Sequence, residues 1–362
     1  MSAFLDDPSV SEILINGPTE VYVERKGRLS RTSATFAGET ELDAAVRNIA
    51  QFAGRHVDGS TTRLDARLPD GSRVHVVRPP CSRRGTVVAI RKFSRDVFDL
   101  ARLVALGSLT ESAAEFLELC VSLRKNLLVS GGTGSGKTSL LNALSTCIPE
   151  TERILVLEDS SELQLRQPHV VPLEARPGDD RGRDRITIRD LFVSSLRLRP
   201  DRIVIGEVRG AEALDLLQAM TSGHPGSMST LHADRPADAL RRLETMAMMG
   251  HVELPHHAIR AQVGAAIDVI VQAARFGDGS RRIVEIAEAG YTDADGTYRL
   301  TPLYRFRTEG VDGSGRIRGL LAETGAAPRF AAELMEAGLL TRVPHSRSVW
   351  RDASTSPDAT LP

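Results

Sequence analysis

The chemistry open to this chain is concentrated in Gly131-Gly132-Thr133-Gly134-Ser135-Gly136-Lys137-Thr138, which fits the phosphate-binding pattern G-x-x-x-x-G-K-[ST] in full. Leu127 to Ser130 before it read as a buried strand, and Leu140, Leu141 and Leu144 after it fall at helical spacing. A phosphate chain fits only a loop whose backbone N–H groups point inward. That shape asks for positive φ and no Cβ in the way, hence Gly131, Gly132, Gly134 and Gly136. The helix that follows adds the positive end of its dipole. In such a loop Lys137 reaches the β- and γ-phosphates of a nucleotide and the Thr138 hydroxyl ligates Mg²⁺. The candidate nucleotide-binding set is therefore Gly131, Gly132, Thr133, Gly134, Ser135, Gly136, Lys137, Thr138 and Ser139.

Two acids end later apolar runs. Arg153 to Leu157 is a strand that runs into Glu158, and acids at the carboxyl end of a parallel strand lie where such sheets hold their ligand. Arg202 to Val208 (R-I-V-I-G-E-V) carries Glu207 at the place where a second nucleotide signature puts the acid of the Mg²⁺ shell. His224 and His232 bracket the next strand, and an imidazole beside the metal acid can report on a γ-phosphate. Arg63, Arg67, Arg73, Arg78 and Arg91 punctuate the strands near the amino terminus; a solvated face accounts for most, and phosphoryl transfer uses arginine against transition-state charge.

These residues need elements to hold them. The spacing predicts an α/β chain with a small N-terminal α/β domain over 1–93, a connector over 94–110, a P-loop domain over 111–290 and a partly disordered extension over 291–362. Within it, helices are expected over Thr40–Ala53, Glu111–Leu123 (N-capped by Thr110) and Arg329–Ala337, and Asp70-Gly71 marks a hairpin. A hairpin around Gly277-Asp278-Gly279 closes the second domain, Arg176–Arg185 reads as an exposed loop, and the last residues as disordered. The formal net charge of -1 and scarce aromatics argue against direct nucleic-acid binding. Nearly all positive charge is arginine, which coding bias explains. Cys81, Cys120 and Cys147 lack the spacing of a disulfide framework or zinc site. No apolar run spans a membrane and no signal pattern opens the chain. A cytoplasmic protein is expected.

Assembled in order, these blocks resemble the secretion ATPases of type II and type IV systems, and within them the CpaF/TadA family that powers assembly of Flp (tight-adherence) pili. The resemblance runs from about Asp6 to Glu288. It rests on D-D-P-S-V-S-E-I-L-I-N-G, D-A-R-L-P-D-G-S-R-V, A-I-R-K-F, the P-loop, L-E-D-S-S-E-L, L-R-L-R-P-D-R-I-V-I-G-E-V-R-G and S-G-H-P-G-S-M-S-T-L-H-A. It implies an N-terminal α/β domain hinged to a RecA-like ATPase, assembled as a homo-hexamer with ATP and Mg²⁺ between the domains. It gives Glu158 the role of polarising the attacking water, Glu207 that of supporting Mg²⁺, and His224 and His232 that of sensing the γ-phosphate. Arg91, Arg73 and Arg67 fall in blocks that lie against the nucleotide in relatives, which leaves open which of them touches phosphate. The partner implied is an inner-membrane pilus platform protein, with the ring associated peripherally at the inner face of the cell membrane.

The chain departs from the family where Ser222 replaces a threonine, and it starts almost at the first block, without the helical segment many relatives place ahead of it. The alternatives are a type IV secretion or conjugal-transfer ATPase, acting in protein or DNA export, and a nucleotide switch without turnover. Intact acids at both strand ends speak against the switch.

Overall fold

The computed structural model describes residues 2–25, 27–93, 98–176, 178, 184–250, 254–292 and 296–350. The chain divides into two compact units, Met1–Asp96 and Val97–Pro362.

In the first unit short alternating segments become a half-buried sheet. It contains α1 (Ser2–Asp6), β1 (Val10–Asn16), β2 (Val21–Arg25), β3 (Arg28–Arg31), α2 (Glu39–Phe52), β4 (Arg63–Arg67), β5 (Arg73–Val77) and β6 (Val87–Arg91). The strands pair antiparallel in the order β3-β2-β1-β6-β5-β4. Because side chains alternate, Ile13, Ile15, Val21, Val23, Val74, Val76, Val88 and Ile90 share one buried face. Helix α2 supplies Leu42, Val46 and Ile49 to that same core. The Asp70-Gly71 turn joins β4 to β5 as expected, with Gly71 at φ +91°.

The second unit follows with α3 (Leu100–Ala105), α4 (Glu111–Ser122), β7 (Leu127–Gly131), α5 (Lys137–Ser145), β8 (Ile154–Glu158), β9 (Val170–Glu174), α6 (Ile188–Ser195), β10 (Arg202–Ile205), α7 (Glu212–Thr221) and β11 (Met228–Leu231). It continues through α8 (Pro236–Met248), α9 (His256–Ala266), β12 (Val269–Arg275), β13 (Arg281–Thr292), β14 (Tyr298–Val311), β15 (Ile317–Glu323) and α10 (Ala331–Glu336). Nine strands form one sheet in the order β15-β14-β13-β12-β7-β11-β10-β8-β9. From β12 to β9 neighbouring strands are parallel; β12 to β15 run antiparallel. Every residue of β7, β8, β10 and β11 is buried. Apolar runs without alternation are what a parallel sheet covered on both faces requires. Leu127 and Val129 join the layer that holds α4 and α5, while Leu128 joins the layer of α6 to α9.

The structure corrects the boundary drawn at residue 290. Strand β13 runs straight through it, and β14 and β15 extend the same sheet. Residues 326–350 are not a loose extension either. Trp350 and Phe330 stack with Phe116 of α4, the Trp350 ring centroid 5.1 Å from that of Phe116, and Glu115 accepts the N–H groups of His345 and Ser346. Strand β15 starts inside the glycine-bearing stretch Gly310–Gly319. Gly319 is there because a Cβ would come within 2.4 Å of the Arg307 carbonyl oxygen. The connector likewise contains a helix, α3, capped by Asp99. Most of the expected 176–185 loop, the first residues of the connector and the tail beyond 350 lie outside the described residues.

Candidate active site

Parallel pairing decides which residues meet. Leu231 of β11 is level with Ser130 of β7, Ser229 with Ile205 of β10, and Ile205 with Leu157 of β8. The residues just past these positions, the P-loop, His232, Glu207 and Glu158, therefore gather at one edge of the sheet. That edge is the carboxyl end, where open α/β sheets bind ligands.

The loop turns on three glycines. Gly134 has φ +70°, and Gly136, the residue before α5, has φ +94°. At Gly131 the reason is space, since a Cβ would sit 2.4 Å from the Ala273 carbonyl oxygen and 2.5 Å from Ser135 Oγ. Gly132 is different: its φ lies outside the left-handed region and a Cβ there would meet nothing within 4 Å, so the chain itself does not demand glycine at this position. Thr133 and Gly134 form the exposed tip, Thr138 and Ser139 are half-buried in the first turn of α5, and Ser135 Oγ is buried without a hydrogen-bond partner among the described residues.

Lys137 is buried and donates to the carbonyl oxygens of Gly131 and Gly132, both at 3.0 Å. Its Nζ also lies 3.3 Å from His232 Nδ1, and His232 Nε2 lies 3.1 Å from Glu207 Oε1. An ammonium only donates, so Nδ1 accepts and Nε2 carries the proton directed at Glu207. Burial and the Lys137 charge hold the His232 pKa below its usual value against the pull of Glu207. The ring is thereby kept neutral, with one tautomer selected.

The two acids are driven apart. Burial pushes the Glu158 carboxyl up to about 7, although Oε1 accepts the N–H groups of Glu162 at 2.9 Å and Leu163 at 3.0 Å. Its Oε2 accepts nothing among the described residues. For Glu207 burial also works upward, but the hydrogen bond and charge of Arg209, with the charge of Lys137, outweigh it and bring the carboxyl below its ordinary value. Arg209 donates to Glu207 Oε2 at 2.7 Å and lies 3.5 Å from Asp159 Oδ2. Two carboxyls with opposite shifts suit two roles, one as a proton acceptor near neutral pH and one as a fixed anion.

The structure does not bring His224 to the loop. It precedes β11, and the adjoining Gly226 and Ser227 N–H groups bond to Asn126 Oδ1, at the start of β7. The four residues of β11, at roughly 3.3 Å each, separate the two ends of that strand. Residues that bracket a parallel strand face opposite edges of the sheet, and the sequence carried that signal. In the first unit Arg67, Arg73 and Arg91 are brought together: they lie directly opposite one another across β4, β5 and β6, with Glu12 next in the row.

Other positioning residues escaped the sequence reading. Gln272 of β12, buried, accepts from Ser130 Oγ and donates to the Ala233 carbonyl oxygen at 3.0 Å, which fixes the backbone beside His232. Arg281 of β13 donates through Nε to the Gly134 carbonyl oxygen at 2.9 Å. Nothing in the residue types announces either, because both arrive through strand pairing.

The site fits an anionic phosphate chain. It offers a glycine loop at a helix start, an orphaned buried hydroxyl at Ser135 and a buried ammonium at Lys137. Among the described residues no three His, Cys, Asp or Glu side chains converge to hold a metal by themselves. A divalent ion would draw on Thr138, water and the phosphates, with Glu207 close by. No helix of the described residues is long and apolar enough to cross a membrane.

Comparison with known proteins shows the family of the chain. The chain is 36% identical over 293 residues (79% of this chain, 83% of the relative) to a Mycobacterium tuberculosis protein named for conjugal transfer. It is also 36% identical over 308 residues (78% of this chain, 90% of the relative) to the type IV secretion system protein PtlH of Bordetella pertussis. The crystal structure of the Legionella pneumophila ATPase DotB shares the fold, with a TM-score of 0.54 at 21% identity over 79% of each chain. The model of the family described as type II/IV secretion system protein matches residues 1–288. The chain belongs to the type II/IV secretion system protein family.

Proposed function

We propose that this chain is an ATPase that drives a secretion or pilus-assembly machine, working as a homo-hexamer. The observation that carries the reading is the P-loop at the carboxyl edge of the parallel sheet, with Lys137 in reach of His232, His232 in reach of Glu207, and Glu158 ending a strand at the same edge. The loop amides and Lys137 hold the β- and γ-phosphates of ATP. Glu158, anchored through Oε1, uses Oε2 to orient and deprotonate a water in line with the leaving oxygen. The leaving β-phosphate oxygen takes up charge facing Lys137. His232, neutral and held between Lys137 and Glu207, registers loss of the γ-phosphate. A bound Mg²⁺ would neutralise phosphate charge, with Thr138 as ligand and Glu207 supporting its waters. Arg91 and its row neighbours offer fixed positive charge to an anion.

The blocks of sequence shared with the CpaF/TadA family favour assembly of a Flp-type pilus through an inner-membrane platform protein, with the ring at the inner face of the membrane. The relatives named for conjugal transfer and type IV secretion favour the second reading, export of protein or DNA by a type IV system. Phosphate release by the purified protein tests the shared core of both. Lys137→Ala should abolish turnover, and near-normal release in that variant would count against an ATPase of any kind. Stimulation of turnover by DNA, with steep dependence on salt, would move the assignment to DNA export.

A further inference from the structure

Arg281 sits where two parts of the second unit meet. Its side chain reaches the tip of the P-loop, donating Nε–H to the Gly134 carbonyl oxygen at 2.9 Å. Its stem also covers Gly136, Cδ lying 3.5 Å from where a Cβ on that glycine would be. The backbone of the same residue is bound to the connector. Ser108 Oγ donates to the Arg281 carbonyl oxygen at 2.8 Å, the Ile283 N–H donates to the Ser108 carbonyl oxygen at 3.0 Å, and Arg282 NH1 donates to the Gly107 carbonyl oxygen at 3.3 Å.

Peptide planarity gives the first contact its meaning. The Gly134 C=O and the Ser135 N–H belong to one trans peptide and point in opposite directions. Drawing the carbonyl outward to the β12–β13 hairpin turns the Ser135 N–H toward the Gly132 carbonyl oxygen, 3.4 Å away, which also accepts from Lys137 Nζ. That is the inner side of the loop, where amides must converge to hold phosphate. Gly134, in the left-handed region, is free to flip; the guanidinium fixes one of its two settings.

We propose that Arg281 is a positioning residue of the nucleotide site, which locks the Gly134–Ser135 peptide with its amide turned inward and ties that peptide to the connector at Gly107–Leu109. Binding at the loop and the setting of the connector are then linked through one side chain. This inference rests on the nucleotide reading above.

Arg281→Met keeps the stem and removes the donor. Titration calorimetry with MgADP should show binding weakened about tenfold, the loss of one hydrogen bond, with partial recovery in Arg281→Lys. Hydrogen exchange of the nucleotide-free protein should be faster at residues 133–136 in Arg281→Met. In the wild type MgADP should slow exchange at residues 106–109, and in the variant that slowing should be lost. Ser108→Ala, which leaves the loop intact and removes the one tie that reaches Arg281 itself while Ile283 and Arg282 keep theirs, should reduce that slowing by at least half, and it decides the matter should Arg281→Met not fold. ADP affinity within twofold of wild type in Arg281→Met, or nucleotide-dependent slowing at 106–109 undiminished in either variant, overturns the proposal. A wild type that binds no MgADP overturns the nucleotide reading instead; binding that is lost in Lys137→Ala and kept in Arg281→Met overturns only the role of Arg281.

Discussion

Glu158→Gln separates the two consequences of ending a buried strand in a carboxylate. In the folded chain burial holds that carboxyl at about 7, against an ordinary value of 4.5. The gap corresponds to ~3 kcal/mol of differential stability. The folded state holds the proton more tightly than the unfolded state, so the contribution of this group to stability is greatest below pH 4.5, falls as pH rises to about 7 and is level above that. Glutamine has no charge to desolvate, and its Oε1 can keep the N–H groups of Glu162 and Leu163. The variant should therefore be the more stable protein at pH 8 by ~3 kcal/mol, with the advantage fading toward acid. Urea unfolding followed by Trp350, the single tryptophan and buried in the second unit, reads this directly. The same substitution removes the base, and phosphate release should drop by about 10²- to 10⁴-fold while ATP still binds. In the wild type the ionised fraction rises from about a tenth at pH 6 to about nine tenths at pH 8, so turnover should climb roughly ninefold over that range. Wild-type-like turnover in the glutamine variant would refute the role given to Glu158. A difference in urea midpoint that stays flat from pH 5 to pH 8 would refute the burial argument beneath it.

Gly131→Ala should weaken MgADP binding more than about tenfold, because its Cβ meets the Ala273 carbonyl oxygen, a backbone atom that cannot swing aside. Gly132→Ala, with nothing within 4 Å of its Cβ, should fold normally, and equal damage at both positions would show that loop geometry is misread. Arg202 is fully buried and donates to Glu152 Oε2 at 2.5 Å, to the Val121 carbonyl oxygen at 2.9 Å and to that of Gly226 at 3.2 Å. Arg202→Met should cost about 3 kcal/mol in urea unfolding, since it strands the Glu152 carboxylate at the amino end of the sheet; a loss below about 1 kcal/mol would mean that the 3.2 Å contact from Arg124 suffices.

What the sequence determined by itself was everything set by neighbours in the chain. Glycine spacing made the P-loop, unbroken apolar runs made the buried parallel strands, and an acid directly after such a run had to stand at its carboxyl end. Thr110 caps α4 as its residue type requires, with the Ala113 N–H at 3.3 Å. Tertiary structure alone decided which of these ends came together. His232 meets Lys137 and Glu207 because β11 lies between β7 and β10, while His224, eight residues earlier, is carried to the opposite edge by the same strand. Gln272 and Arg281 reach the site by pairing of β12 with β7 and of β13 with β12. The tail around Trp350 is ordered by Phe116, more than two hundred positions away. The rise of the Glu158 carboxyl belongs with these, because desolvation is a property of what surrounds a group and not of the residues beside it in sequence.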